Sequence, residues 1–127
     1  MAATFRTVAA ALRPGGLFVF DLTNDQGFRT WWRRGVDVET RDFHYLCAFD
    51  YDPGTGTAHA DIQLVRGAKR RRLELTQRCF DEPTITRALR AAGFRLEIAA
   101  PWSPFTPNDP GKTWFVAQID TSETDAR

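Results

Sequence analysis

Two histidines, two cysteines, and small clusters of aromatic and charged side chains are the residues of this sequence with chemistry to offer. His44 and His59 each have the means to act as a general base toward a hydroxyl, because imidazole titrates near neutral pH. Both alternate with apolar neighbours, as in Phe43-His44-Tyr45 and Ala58-His59-Ala60, so on strands they turn away from the buried side. No nucleophile stands in a readable Ser-His-Asp or Cys-His arrangement, and no metal-ligand spacing is present. Cys47 and Cys79 are too few and too far apart for a disulfide framework or a closed zinc site, so they read as buried free thiols of a reducing compartment. Gly54-Thr55-Gly56 has the glycines of a nucleotide loop, but it sits in a hairpin and no helix follows it. Phe28, Trp31 and Trp32 have the bulk either to wall an apolar pocket or to dock their segment on the core. Lys69-Arg70-Arg71-Arg72, after Gly67, reads as a solvated turn rather than an anion contact.

These residues belong to a chain of 127 with 43% hydrophobic and 13% aromatic content, which fits one small globular domain and excludes a disordered segment. Seventeen basic residues nearly cancel sixteen acidic ones, so no overall field argues for nucleic acid or an anionic membrane. No run approaches the ~20 apolar residues of a membrane span, and the amino terminus lacks the basic and apolar regions of a secretion signal. A cytoplasmic protein is expected.

Apolar periodicity supplies the elements that must position the candidates. Phe5, Val8, Ala9 and Leu12 fall on one face of a helix over Thr4–Leu12. Arg13-Pro14-Gly15-Gly16 stops it, and the apolar run Leu17-Phe18-Val19-Phe20 suits a strand covered on both faces. Thr23-Asn24-Asp25-Gln26-Gly27 is polar and turn-rich, and Phe28 to Trp32 is either a short helix or an ordered loop. Alternation predicts strands over 43–51 and 58–64, a turn at Gly67 to Arg70, and a third strand through Leu73, Leu75 and Cys79. The middle of the chain is thus a three-stranded antiparallel meander, inserted at about 36–80. Asp81-Glu82-Pro83 opens a helix whose stripe is Ile85, Ala88, Leu89 and Ala92, and Gly93 closes it. Leu96 to Ala99 forms a strand, and Pro101 to Gly111 is a long loop in which Trp102 and Phe105 are rim candidates. Thr113 to Ile119 is the last strand, with a frayed tail from Asp120. The architecture is α/β or α+β in a single domain over 1–127.

Leu12-Arg13-Pro14-Gly15-Gly16-Leu17-Phe18-Val19-Phe20-Asp21 resembles the class I S-adenosylmethionine-dependent methyltransferases, whose fourth crossover helix commonly ends in a Leu-x-Pro-Gly-Gly turn before strand five. Leu89-Arg90-Ala91-Ala92-Gly93-Phe94 is similar to that family's last helix and its exit into strand six, and Trp114-Phe115-Val116-Ala117 to strand seven. Three landmarks in family order span nearly the whole chain. The resemblance implies a partial Rossmann-like sheet of strands five, seven and six, contiguous in that order, flanked by helices. The meander then resembles insertions that cover an acceptor site.

The same resemblance implies a small-molecule acceptor and places Asp21, Thr23 and Asn24 at its side of the cleft, at the carboxyl end of strand five. Phe28, Trp32 and His44 join them as implied substrate-binding residues. For Asp21 and Asn24 the competing role is to tie the loop after the strand, since such side chains bond local backbone well. Strands one to four are absent, and with them the glycine-rich cofactor turn and the ribose-holding acid. S-adenosylmethionine is therefore implied by the resemblance, with binding by this chain alone in doubt. Strand five is left with a bare apolar edge, which implies a separate amino-terminal half or a homo-oligomer. A truncated gene, a fragment and a split enzyme all fit a first helix so close to Met1. The expectation is the substrate-side half of a methyltransferase that needs completion for activity; the alternative is a non-catalytic, self-associating remnant or binding module.

Overall fold

The structure is a computed structural model, and residues 1–33, 35–100 and 110–120 are described. Trp102, Phe105, most of the proline-rich loop and the tail beyond Asp120 lie outside the described residues. The chain folds as α1 (Ala2–Ala11), β1 (Leu17–Thr23), α2 (Asp25–Trp31), β2 (Val36–Glu39), β3 (His44–Asp52), β4 (Thr57–Arg66), β5 (Lys69–Arg78), α3 (Glu82–Ala91), β6 (Phe94–Ala100) and β7 (Lys112–Ile119). It divides into two compact units, one built from Met1–Leu22 with the segment from Phe80 onward, the other from Thr23–Cys79.

In the first unit α1 and α3 pack on a three-stranded sheet ordered β1-β7-β6. Strand β7, last in the chain, lies between the other two, as the resemblance to strands five, seven and six implied. It runs antiparallel to β6, with a register shift between Leu96 and Ile98. The turn before β1 needs its glycines. Gly15 takes φ +77°, and a Cβ on Gly16 would sit 2.8 Å from the Arg13 carbonyl oxygen. The same turn docks the end of β7, since Ile119 N–H donates to the Gly16 carbonyl at 3.0 Å and Gln118 Nε2 to the Gly15 carbonyl at 3.0 Å. Helix α3 starts where Asp81 accepts from Thr84 N–H at 2.8 Å, with Pro83 in the first turn, and stops at Gly93 with φ +96°.

Phe5, Ile85, Leu89, Phe94, Phe115 and Ala117 form the buried centre of this unit, with Phe18 and Phe20 against them. The Phe20 ring stacks on Phe115 at 5.0 Å and meets Phe5 at 5.4 Å. Because side chains alternate along a strand, Leu17 and Val19 point to the opposite face. The expectation of a strand covered on both faces is therefore corrected: Leu17 is 57% and Val19 56% exposed. Ile98, which lies opposite Val116 and so on that same face, is exposed as well.

The second unit is α2 with an antiparallel sheet ordered β2-β3-β4-β5. Its segment 25–31 is a helix, settling the choice between helix and ordered loop. The meander has four strands rather than the expected three. The added β2, Val36-Asp37-Val38-Glu39, is only four residues and exposed throughout, too short for alternation to separate it from a loop. The turn expected over Gly67 to Arg70 shrinks to Gly67 and Ala68, because φ +61° at Gly67 allows a two-residue hairpin. Lys69-Arg70-Arg71-Arg72 accordingly lies on β5, not in a turn, and Cys79 falls just past that strand. Cys47 is buried and Cys79 half-buried, and neither is in a disulfide.

Register sorts the sheet into two faces. Val36, Cys47, Ile62 and Leu73 form one cross-strand row, and Phe49, Ala60 and Leu75 form another on the same side. Asp50, His59 and Thr76 form a row on the other, polar side. Helix α2 reaches the apolar side through Phe28 and Trp32, while Val36, Val38, Leu64, Leu73 and Leu75 stay exposed there.

Candidate functional site

Within the first unit the polar chemistry gathers at the carboxyl end of β1. Asp21 is half-buried, and Lys112 Nζ, from the start of β7, donates to its Oδ2 at 3.3 Å. These two strands run antiparallel, which brings the beginning of one beside the end of the other. A carboxylate so placed can accept from an amine or hydroxyl.

Within the second unit the candidates separate by role. Thr23, the last residue of β1, is half-buried. Asn24 caps α2, accepting from Gly27 N–H at 2.9 Å, so that oxygen serves the helix end. Phe28 is 2% exposed and stacks on Tyr51 at 5.0 Å. Trp32 is half-buried against Phe49 at 5.0 Å, whereas Trp31 points outward at 63% exposure. His44 sits on the polar face with Nε2 2.5 Å from Asp37, and His59 lies on the same face with Nδ1 3.1 Å from the Thr76 hydroxyl. The structure thus brings Phe28 together with Trp32, and Asp21 together with Lys112; His44 lies on the sheet face opposite the Phe28 cluster.

Sequence reasoning did not single out a hydrogen-bonded trio on the α2 flank. Asp25 accepts from the Tyr51 hydroxyl at 2.6 Å through one oxygen and from Arg29 Nε at 2.6 Å through the other. Tyr51 and Arg29 together hold the Asp25 carboxyl below its ordinary range. Burial, and then the bond to Asp25, push the Tyr51 hydroxyl well above its usual value. The spacing of Asp25 and Arg29, one helical turn apart, was the available signal. Tyr51 lies 26 residues away and carried none.

No group of described residues has the make-up to hold a metal ion, and no helix among them is long and apolar enough to cross a membrane. The described residues do not fit a methyltransferase's cofactor turn. Gly54 and Gly56 belong to the β3–β4 hairpin, where a Cβ would meet Asp52 Oδ1 at 3.2 Å and the Cys79 carbonyl at 3.0 Å respectively, and a strand follows them. The two helices that follow strands carry their own side-chain caps, Asn24 and Asp81.

The sequence matches no protein-family model and no curated protein. Its fold does match solved methyltransferases. An S-adenosylmethionine-dependent methyltransferase from Clostridium acetobutylicum superposes with a TM-score of 0.71 at 16% identity, over 93% of this chain and 50% of that one. The CcbJ methyltransferase of Streptomyces caelestis gives 0.67 at 20% identity, over 94% and 52%. A third, an amino pentose methyltransferase of calicheamicin biosynthesis from Micromonospora echinaspora with S-adenosylmethionine bound, gives 0.54 at 15% identity, over 94% and 50%. The chain therefore has the mixed α/β, Rossmann-like fold of these enzymes and spans about half their length.

Proposed function

We propose that the chain is the substrate-side half of an S-adenosylmethionine-dependent methyltransferase acting on a small-molecule acceptor, active only when a partner or a second copy completes it. The observation that carries this reading is the three-stranded piece β1-β7-β6, which ends on β1 with Leu17 and Val19 exposed, in a chain half as long as the methyltransferases it superposes on. An edge strand of that kind presents unpaired backbone groups and apolar side chains that another chain can cover. The amino pentose acceptor of one structural neighbour is in keeping with a small polar acceptor here.

Methyl transfer from a sulfonium is accelerated mainly by holding the reactants in line and excluding water, so no fixed catalytic group is required. Asp21, with Lys112 beside it, is assigned to accept a hydrogen bond from the acceptor's amine or hydroxyl. Thr23 and Asn24 contribute polar groups and Trp32 apolar surface; Phe28 is buried and supports Trp32 from behind, and His44, on the opposite face of the sheet, is left out of this site. The misfit of the described residues to a cofactor turn favours the competing reading, a non-catalytic remnant, for the chain in isolation.

Co-expression with a polypeptide carrying strands one to four of a class I methyltransferase tests the assembly. A stable complex that is lost on Val19→Lys supports completion through β1. Retention of the complex by Val19→Lys, or failure of any such half to bind, contradicts it. In a complex that methylates an acceptor, Asp21→Ala is expected to raise the acceptor KM; an unchanged KM removes Asp21 from the site.

A further inference from the structure

We infer that strand β5 is a self-pairing edge, and that two copies of this chain join through it about a two-fold axis at Leu73 into one continuous eight-stranded sheet. This inference is independent of the proposed completion through β1, which lies in the other unit. Strand β5 is the outer strand of its sheet, ten residues long, and exposed along its whole length. Four cations, Lys69 to Arg72, occupy its first part, while Leu73 and Leu75, 54% and 37% exposed, occupy the second. The two charges of that second half, Glu74 and Arg78, are of opposite sign, so it is neutral overall and can lie along a basic half without net repulsion.

The backbone restricts the register. In a two-residue hairpin the closing pair, here Arg66 and Lys69, exchanges both backbone hydrogen bonds, and the pairs alternate from there. The outward-pointing N–H and C=O groups of β5 then belong to Arg70, Arg72, Glu74, Thr76 and Arg78. An antiparallel copy must pair these among themselves. Centring the axis on Arg72 sets Arg72 against itself, and centring it on Glu74 sets Glu74 against itself and Arg70 against Arg78. Centring it on Leu73 pairs Arg72 with Glu74 of the second copy, twice, and Arg70 with Thr76. On the apolar face it sets Leu73 against Leu73 and Arg71 against Leu75. Each basic end thus lies along the partner's neutral end. On the polar face Arg72 is already held by Asp61 at 2.7 Å and Glu74 at 3.0 Å, so its guanidinium is presented to the edge in a fixed place. The acidic edge β2 is the competing occupant, but pairing β5 with it is head-to-tail, does not close, and spans only four residues.

Sedimentation equilibrium on the full chain, with circular dichroism to confirm folding, is the first test. A dimer is expected, and a monomer at high micromolar concentration overturns the inference. Glu74→Arg, which leaves the Arg72–Asp61 pair in place, is expected to weaken the dimer by roughly tenfold or more through two reciprocal like-charge contacts. Arg72→Glu combined with Glu74→Arg is expected to restore it. Leu73→Cys puts two thiols across the axis, where the Cα separation of about 4.5 Å permits a disulfide. Oxidation should give a covalent dimer with Leu73→Cys and little with Lys69→Cys. A dimer indifferent to Glu74→Arg, or one abolished by Val19→Lys instead, shows that another surface joins the copies and overturns this assignment without touching the β1 reading.

Discussion

The two units bury different things. The first closes large side chains, Phe94, Phe115, Ile85 and Leu89, between two helices and one face of its sheet. The second buries small residues on its sheet, Cys47, Ala58 and Ala60, and has one large fully buried side chain, Phe28. Most hydrophobic stabilisation scales with apolar area removed from water, so the first unit is held by a distributed aromatic core and the second by a single anchor plus cross-strand pairs. A sheet with so little covering is suited to receive something on its faces and edges. The first unit is suited to hold a backbone rigid.

Removing the anchors is the largest test of that contrast. Phe115→Ala in the first unit and Phe28→Ala in the second should each cost about 3–5 kcal/mol in denaturant unfolding. Leu75→Ala, on the exposed part of the second unit's sheet, should cost under about 1 kcal/mol. A large loss at Leu75 would show that its face is covered and break the comparison.

Gly16→Ala comes next, because its Cβ would meet the Arg13 carbonyl and disturb the turn that docks β7. A loss of about 1 kcal/mol or more is expected, measured by the shift in denaturation midpoint. Asn24→Ala should cost about 1 kcal/mol by the same measurement through loss of the α2 cap. If Asn24 also serves an acceptor, binding by a completed enzyme will fall by more than the stability loss accounts for.

The smallest expected effects are on pH dependence, and they sharpen the role of the Asp25–Tyr51 pair. The Asp25 carboxyl is held below its ordinary value, so its contribution is present above about pH 4 and lost as pH falls through the lowered value. The Tyr51 hydroxyl is raised, so its contribution is present below about pH 10 and lost as pH rises through the raised value. Tyr51→Phe should flatten the alkaline limb and also weaken the acid limb, because the Tyr51 hydroxyl is the first cause of the lowered Asp25 value. An unaltered acid limb would mean the bond to Asp25 contributes nothing.

Much of this architecture is legible in the sequence because its signals are local. The Pro14-Gly15-Gly16 turn, the Pro83 helix start and the Gly93 stop each declare themselves within four residues. The order β1-β7-β6 came from the family resemblance, since no periodicity reports which strands lie side by side. Strand β2 was missed because four exposed residues make too short a pattern. The start of β5 was misjudged because four consecutive cations look like a turn until the hairpin register is known. Leu17 and Val19 were expected to be covered because an unbroken apolar run cannot say which of its faces has a partner within the chain. Of the candidate site, the polar-face placement of His44 and His59 was readable from alternation, whereas the bulk of Phe28 left docking and pocket-walling both open until its burial against Tyr51 was known. The pairings of Asp21 with Lys112 and Asp25 with Tyr51 join residues far apart in sequence, which composition and spacing do not encode.

The proposed half-enzyme role depends on the chain's not holding S-adenosylmethionine by itself. Isothermal titration of S-adenosylmethionine into the purified chain tests it directly. No saturable heat is expected at millimolar ligand. Saturable one-to-one binding by the chain alone would contradict it, and would require a cofactor site built from residues other than a glycine-rich turn.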